Sequence, residues 1–188
     1  MESSDEDIMR RVQQGDVQLF EELVRRYRGA LIRVTWGKLQ DRSLAEDVVQ
    51  ESLLAAFAAR HTFDPQYSFR TWLWTITLRL CHKHWKRTST PRANTQAYDD
   101  EQLSPTMSSA PCGLEGVLQT ERAELLQRAL CELPEAEADA IRLRFFGGLR
   151  FDEIAVAMQS SESGAKRRVK HGLERLANQL KTLSGIES

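Results

Sequence analysis

The sequence predicts an all-α protein built from two small helical domains that are joined by a flexible linker. Apolar residues recur at spacings of three and four in both halves of the 188-residue chain, and no stretch alternates with the period of two that is typical of a strand. Between the halves, residues 88–113 are rich in Ser, Thr and Pro and have no apolar period. We therefore expect one domain over residues 1–87 and a second over residues 114–188.

Three helices are predicted in the N-terminal domain. The first follows Gly15 with Asp16 as its N-cap, and the second begins at Ser43, which is placed to form a capping box with Glu46. Pro65 interrupts the helical periodicity, so residues 61–69 are expected to form a loop. The third helix then covers residues 70–87.

The C-terminal domain is predicted to end in a helix-turn-helix. Helical spacing runs from residue 114 to 133, and Pro134 then suits the first position of a helix that ends at the two glycines 147 and 148. A polar break at Ser160 and Ser161 separates the last two helices, and Ala155 is small enough for the position where they cross. The polar face of the final helix carries Lys166, Arg167 and Lys170, a layout typical of a helix that enters the ~12 Å major groove. The alternative is a solvated basic face.

The charges nearly cancel in total but are segregated along the chain. There are 26 basic and 27 acidic residues, which gives a formal net charge of −1. Six basic residues and no acidic one lie between Arg70 and Arg92, a second basic cluster covers residues 166–181, and residues 1–7 are acidic. Two basic segments predict two contacts with a polyanion, while the balanced total predicts weak DNA binding by the isolated chain.

The second predicted helix presents a polar stripe opposite its apolar face. Its members follow one another at i, i+3, i+4 and i+7: Asp47, Gln50, Glu51 and Leu54. Such an acidic and amide-bearing stripe can pair with a basic helix of a partner, although an ordinary solvated face is the alternative.

Aromatic residues precede a cationic track in the N-terminal domain. They fall within residues 63–74, and four cations at helical spacing follow them: Arg79, Lys83, Lys86 and Arg87. Unpaired bases gain about 1–3 kcal/mol each by stacking on aromatic rings, so this combination is typical of single-stranded DNA binding. Phe69 belongs to the apolar stripe of its helix and is expected in the core. The loop residues 63–68 are candidates for a pocket that holds an extruded base.

Several classes of protein are excluded. No apolar run approaches the ~18–20 residues of a membrane helix and the N-terminus is acidic, so we expect a cytoplasmic protein without membrane insertion. Three cysteines at unrelated spacings argue against disulfides and zinc modules. Cys81 and His84 form too small a set for a metal site, and a glycine-rich phosphate loop is absent from the sequence. We therefore expect no enzyme, no cofactor and no metal.

Three segments in this order resemble the bacterial extracytoplasmic-function (ECF) sigma factors. They are AEDVVQE at residues 45–51, FRTWLWTITLRLCHKHWKR at residues 69–87 and LPEAEADAIRLRFFGGLRFDEIA at residues 133–155. The resemblance implies that the partners are core RNA polymerase, through its β′ clamp and β subunit, promoter DNA and, as is common in the family, an anti-sigma factor. It also implies promoter recognition, DNA melting without nucleotide hydrolysis and transcription initiation.

The resemblance also implies roles by position. The stripe of Asp47, Gln50, Glu51 and Leu54 would bind the polymerase clamp, and Lys166, Arg167, Arg168 and Lys170 would enter the −35 major groove. The −10 element would be captured and melted by residues of the loop and the following helix: Phe63, Asp64, Gln66, Tyr67, Ser68, Trp72, Trp74, Arg79, Lys83, Lys86 and Arg87.

This chain departs from the family pattern in its helix-turn-helix. Gln159 and Ser160 stand where the family usually has Gly followed by an apolar residue, and Ala165 replaces a larger aliphatic residue. We expect a looser second domain or a tilted recognition helix. The acidic run at residues 99–101 resembles the family segment that threads the polymerase cleft.

One other function fits part of the pattern. A free-standing helix-turn-helix regulator that binds duplex DNA as a homodimer would use the C-terminal domain. It would leave the aromatic loop and the Asp47 stripe without a role.

Overall fold

The computed structural model describes residues 3–89, 123 and 125–183, with the side chains of residues 87–89 and 182–183 left aside. Within these ranges all longer regular elements are α-helices, which confirms the predicted all-α class, and none of these helices is long and apolar enough to span a membrane. Of the predicted linker, only residues 88 and 89 are described, and they continue the helix that begins at Phe69. The helices are α1 Asp5–Gln13, α2 Phe20–Leu39, α3 Arg42–Ala58, α4 Phe69–Ser89, α5 residues 125–132, α6 Glu135–Phe145, α7 Phe151–Ala157 and α8 Glu162–Leu183.

Two of the predicted helix starts are wrong. Asp41, not Ser43, caps α3, because its Oδ1 accepts a hydrogen bond of 2.9 Å from the backbone N–H of Leu44. Asp16 makes no side-chain cap, and it precedes a single 3₁₀ turn, Val17–Leu19, that leads into α2. At α3 the sequence offers two residues able to cap, and Asp41 makes the bond. At α2 the N-cap position is Leu19, and no side chain makes a cap hydrogen bond.

The acidic N-terminus forms a helix that the sequence analysis did not predict. Ser4 caps α1 by accepting from the N–H of Asp7 at 3.1 Å. The Oε1 atom of Glu6 accepts a hydrogen bond of 2.9 Å from the N–H of Phe69, the first residue of α4. Asp5 accepts hydrogen bonds from the hydroxyl of Tyr27 and from Arg26 on α2. These acidic side chains therefore join three helices.

The core of the N-terminal half lies between α1, α2, α3 and α4. Each helix contributes buried apolar side chains at helical spacing, among them Met9, Leu23, Leu31, Val49 and Leu73. Buried side chains of this size each contribute about 1.5–3 kcal/mol relative to exposure. This core holds α3 and the loop before α4 on one rigid support.

The C-terminal half packs α8 across α6. Gly172 of α8 lies so close to α6 that an added Cβ would be 2.7 Å from Cδ1 of Ile141. Ile141, Leu130, Leu133 and Leu176 are buried together on the side of α5. A larger residue at position 172 would have to displace the end of the Ile141 side chain.

The two halves share one apolar core. Trp74 of α4 is completely buried, and it belongs to the same cluster as Leu143, Leu149 and Ile154 of the C-terminal half. Helix α4 packs on α7, and α2 packs on α6. The halves that the sequence separates by a linker therefore lie against each other in this structure.

Candidate protein- and nucleic-acid-binding surfaces

An open groove of about 460 Å³ runs between α2 and α3. Its lining is mostly apolar and includes Phe20, Val24, Leu53 and Phe57. Leu54 stands at its edge with 62% of its surface exposed. An apolar groove with an exposed leucine at its edge is suited to the apolar face of a partner helix.

Three of the four stripe residues border this groove and face solvent. Asp47, Gln50 and Leu54 are exposed on α3. Glu51 instead turns towards α4, where its carboxylate lies 2.9 Å from Nε2 of His84 and 3.1 Å from Nζ of Lys83. The hydrogen bonds from His84 and then Lys83 hold the pKa of Glu51 below its usual value. Glu51 therefore links α3 to α4 in this structure.

The loop between α3 and α4 is held in a defined shape. Asp64 Oδ1 accepts from the N–H of Gln66 at 2.9 Å, which forms a local turn. Gln13 of α1 donates from Nε2 to the carbonyl oxygens of Arg60 and Phe63, at 2.8 and 2.7 Å. The loop is therefore held by the turn at Asp64 and by the hydrogen bonds from Gln13 to residues 60 and 63.

Tyr67 is the aromatic residue of this loop that remains open to solvent. The residue is 70% exposed. Phe63 is only 4% exposed, and its ring centroid lies 5.7 Å from that of Phe69 and 5.3 Å from that of Trp72. Trp74 is fully buried at the contact between the halves. Packing in the shared apolar core therefore buries both Phe63 and Trp74 in this structure.

The cationic track lies on the outer side of α4. Arg79, Lys83 and Lys86 are exposed and follow one another at spacings of four and three. The Arg87 side chain lies outside the described residues. Lys83 already pairs with Glu51. A DNA phosphate that binds Arg79 or Lys86 would not break this pair.

The structure contains the predicted helix-turn-helix in α7 and α8. Ser161 caps α8 by accepting from the N–H of Gly164 at 3.1 Å, and Ala155 and Ala165 are buried where the helices meet. The basic residues at the start of α8 occupy its outer face, with Lys166, Arg167 and Lys170 exposed and Arg168 half-buried.

Intrahelical ion pairs partly occupy this basic face. Lys166 Nζ lies 2.7 Å from Glu162 Oε1, and Lys170 Nζ lies 3.9 Å from Glu174 Oε1. Exposed pairs of this kind contribute at most ~1 kcal/mol, so a polyanion can replace the carboxylates. The face remains available for DNA.

Gln159 adopts a left-handed backbone conformation in the turn between α7 and α8. Its φ is +52°, a value that glycine adopts without a steric penalty and that costs other residues about 1–2 kcal/mol. Glycine would therefore suit the backbone at this position. Here the turn is kept, and a glutamine carries the strain.

We expect the substitution Gln159→Gly to raise the free energy of unfolding by about 1 kcal/mol, because it removes this strain. Urea denaturation followed by circular dichroism measures the change. Gln14→Gly is the matched control, since Gln14 has a φ of −81° and should lose about 0.5–1 kcal/mol. Equal destabilisation by both substitutions would contradict a left-handed residue at position 159.

One cluster within the described ranges has the side chains of a metal site. The ligating atoms of His82, Glu135 and Asp139 lie within 4.8 Å of one another. However, Nζ of Lys38 lies 2.7 Å from both Glu135 Oε1 and Asp139 Oδ2. The ammonium group already pairs with both carboxylates, and Nη1 of Arg142 lies 3.5 Å from Asp139 Oδ1. This cluster is therefore an ionic contact between α2, α4 and α6.

Three residues with a part in these surfaces were missed by sequence reasoning. Gln13 and Glu6 position the loop and the start of α4, and Glu153 of α7 contacts the same loop. Gln13 and Glu6 belong to no motif or apolar period, and Glu153 lies in the segment 133–155, which was quoted for its resemblance and not for a contact with the loop. Their contacts with the loop and the start of α4 join residues that are 47 to 85 positions apart. For Glu6 alone, the preference for acidic side chains at a helix N-terminus is a signal in the sequence.

Comparisons with known proteins identify both halves. The family model described as Sigma-70 region 2 matches residues 23–90, and that described as Sigma-70, region 4 matches residues 123–176. The RNA polymerase sigma-H factor of Pseudomonas aeruginosa is 26% identical over 97% of this chain and 96% of its own length. The ECF RNA polymerase sigma-E factor of Escherichia coli K12 is 27% identical, with 96% of each chain covered.

Two solved structures share the fold. CnrH in complex with the cytosolic domain of CnrY aligns with a TM-score of 0.73 at 21% identity, covering 96% of this chain and 99% of that one. The sigma factor RpoE of Bartonella quintana, in complex with the anti-sigma factor NepR, aligns with a TM-score of 0.67 at 19% identity, covering 86% and 96%.

Proposed function

This chain belongs to the ECF group of bacterial RNA polymerase sigma factors, and from that premise we propose how its surfaces bind core polymerase and open promoter DNA. Sigma factors of this kind direct core RNA polymerase to promoters, and this chain has both regions required for it. A free-standing helix-turn-helix regulator is not favoured, because region 2 and the groove between α2 and α3 would have no role in it.

The observation that carries the proposal is that one chain presents three separate binding surfaces. The groove beside Asp47 and Gln50 is polar at its edge and apolar at its base. The loop with Tyr67 and the track with Arg79 are aromatic and basic, and the outer face of α8 is basic. A protein partner and two stretches of DNA, one unpaired and one duplex, fit these three surfaces.

We assign polymerase docking to the groove. Its exposed Asp47 and Gln50 would pair with basic side chains of the β′ clamp helices, and Leu54 would enter the partner's apolar face. Glu51 would act as a positioning residue, since its bonds to Lys83 and His84 hold α3 against α4. Docking on α3 would thereby set the position of the cationic track.

The loop between α3 and α4 is assigned to the −10 element. Tyr67 offers a ring on which an extruded non-template base can stack, which recovers about 1–3 kcal/mol of the cost of unpairing. Asp64, Gln66 and Ser68 supply polar groups around it. Arg79 and Lys86 would neutralise the phosphates of the strand as it runs along α4.

The recognition helix α8 is assigned to the −35 element. Lys166, Arg167 and Lys170 face outward at the N-terminal part of the helix, where side chains reach base edges and flanking phosphates. Arg168 is half-buried and lies near Gly164, so we assign it to support of the turn and to a flanking phosphate.

We also propose that the protein works in the cytoplasm, without a catalytic step of its own, and under the control of an anti-sigma factor. The Bartonella relative was solved with such a factor. The acidic and apolar groove is a surface for which an inhibitor and core polymerase would compete.

Run-off transcription on a promoter library tests the proposed function. Core RNA polymerase with this protein should give transcripts from a small set of templates, whereas core polymerase alone should give none of them. The same core preparation with a different sigma factor is the control for activity. If the control transcribes and this protein yields no specific transcript, the proposal fails.

A further inference from the structure

The loop that we assign to the −10 element is held at its start by the last turn of α1. Nε2 of Gln13 donates hydrogen bonds to the carbonyl oxygens of Arg60 and Phe63, at 2.8 and 2.7 Å. Phe63 follows the 3₁₀ turn Arg60–Thr62, and the ends of helical segments leave carbonyl oxygens that need partners from elsewhere. Since Phe63 is buried, an unpaired carbonyl there would be costly. One side chain of α1 therefore fixes the point where the loop begins.

The same helix holds the end of the loop. Oε1 of Glu6 accepts a hydrogen bond of 2.9 Å from the N–H of Phe69, the first residue of α4. The first N–H groups of a helix have no partner inside it, and a carboxylate near them is favoured by the helix dipole. Phe69 is completely buried, so its N–H needs a partner within the protein. Glu6 supplies that partner and fixes the start of α4 against α1.

Helix α1 is itself attached to the core of the N-terminal half. Met9 and Val12 are buried on its inner face. In its first turn, Asp5 accepts hydrogen bonds from two side chains of α2. Glu6 and Gln13 lie near opposite ends of this helix, about 10 Å apart along its axis at 1.5 Å per residue. They are therefore two fixed supports at a set separation.

Residues 64–68 lie between these two supports. Asp64 shapes this segment, because its Oδ1 accepts from the N–H of Gln66 at 2.9 Å and its carbonyl oxygen accepts from the N–H of Tyr67 at 3.0 Å. The ring of Pro65 fixes one further backbone angle. A short segment with fixed ends and an internal turn has few conformations. The exposed Tyr67 is therefore presented from a defined position.

We propose that α1 is a positioning helix for −10 recognition, in which Gln13 and Glu6 hold the loop in the shape that captures an extruded base. This positioning role rests on the proposed function, because that proposal assigns the loop to the −10 element. Both side chains act through the loop and not by touching DNA. A loop that has the capturing shape for only one tenth of the time binds the base about tenfold more weakly. Base selectivity then depends on two residues outside the loop.

Conservative substitutions separate this role from simple packing. Gln13→Glu keeps the size of the side chain but replaces the donor with a carboxylate that would face two carbonyl oxygens. Gln14→Glu is the matched control, because Gln14 is exposed at the end of the same helix. Glu6→Ala removes the acceptor for the N–H of Phe69, whereas Glu6→Gln retains an oxygen that can accept. Circular dichroism checks folding, and Gln13→Ala replaces Gln13→Glu if the latter does not fold.

Hydrogen exchange of the free full-length protein reports on the loop without DNA or polymerase. In Gln13→Glu and Glu6→Ala, the amides of residues 60–69 should exchange about fivefold faster or more, because the hydrogen-bonded turn opens more often. Exchange in α3 should stay unchanged, which excludes a general loss of stability. Gln14→Glu and Glu6→Gln should exchange like the unsubstituted protein.

Run-off transcription from templates with an abasic site measures capture of the base. An abasic scan of the non-template −10 strand, with core polymerase and the unsubstituted protein, finds the position where loss of the base lowers transcription most. The ratio of transcription from the intact template to that from this abasic template should fall by about fivefold or more for Gln13→Glu and Glu6→Ala. Both control variants should keep the ratio. Weaker folding or polymerase binding would lower transcription from both templates alike and leave the ratio unchanged.

The outcomes distinguish the positioning role from the proposed function. If the unsubstituted protein gives no specific transcript, the proposed function fails, and if no −10 position is sensitive to loss of its base, the assignment of the loop fails; the positioning role falls with either. If a sensitive position exists but the folded Gln13 and Glu6 variants keep the ratio or the loop exchange of the unsubstituted protein, the positioning role alone is overturned. Faster loop exchange with a lower ratio, and normal values for Glu6→Gln, support it.

Discussion

The variant Asp47→Lys is expected to lose co-purification with core RNA polymerase while its helical content stays unchanged. Asp47 is exposed beside the groove between α2 and α3, so its replacement does not disturb the core. A lysine there would face the basic side chains that we propose on the clamp helices. The repulsion and the missing ion pair should weaken binding by about thirtyfold or more, which corresponds to ~2 kcal/mol.

Glu21→Lys provides a matched control for this charge reversal. Glu21 is exposed in the same half, on α2, and does not line the groove. This variant should retain polymerase binding. If Asp47→Lys binds core polymerase as well as Glu21→Lys does, the groove is not the docking surface.

Alanine at Lys166, Arg167 and Lys170 together should abolish transcription from promoters that depend on a −35 element. These three residues are the outward cations at the start of α8, and the removal of each cation that neutralises a phosphate should reduce the slope of log affinity against log salt by about 0.9. We therefore expect a slope shallower by about two to three units if all three cations bind phosphates. Run-off transcription and binding to a duplex −35 probe by the polymerase complex measure both effects.

Two comparisons make this prediction specific. Arg175→Ala removes a cation from the distant part of α8, where it pairs with Glu137 at 3.2 Å, and it should transcribe nearly normally. Templates with a pre-melted −10 region and no −35 element should be used equally by the triple variant and the unsubstituted protein. An equal defect on those templates would place the fault outside −35 recognition.

Local patterns predicted most of the helices and their exposed faces. The apolar spacing of α2, α3 and α4 indicated three helices in the first half, and the same reasoning placed Asp47, Gln50 and Leu54 on one exposed face. The polar break at Ser161 located the helix-turn-helix, where Ser161 does cap α8. These features depend on residues within one or two turns of each other, which is why the sequence carries them.

Contacts between distant residues could not be read from local patterns. Lys38 and Asp139 are separated by 101 positions, and nothing in either neighbourhood indicates that they pair. Trp74 illustrates the consequence. The family resemblance implies a role in strand separation for Trp74, and in this structure packing against the turn at Gly147 buries its ring. Glu51 keeps 40% of its side chain exposed on the predicted stripe, and its pairing with His84 depends on how α4 packs beside α3.

An electrophoretic mobility shift with duplex promoter DNA tests the central claim most directly. The protein alone, core RNA polymerase alone and the two together are compared on a promoter that they transcribe and on a scrambled sequence. We predict a specific complex only when both are present, because the free chain has a formal net charge of −1 and its acidic residues offset the attraction of its basic surfaces for DNA. Tight, sequence-specific binding by the protein alone would contradict the account and favour a free-standing regulator.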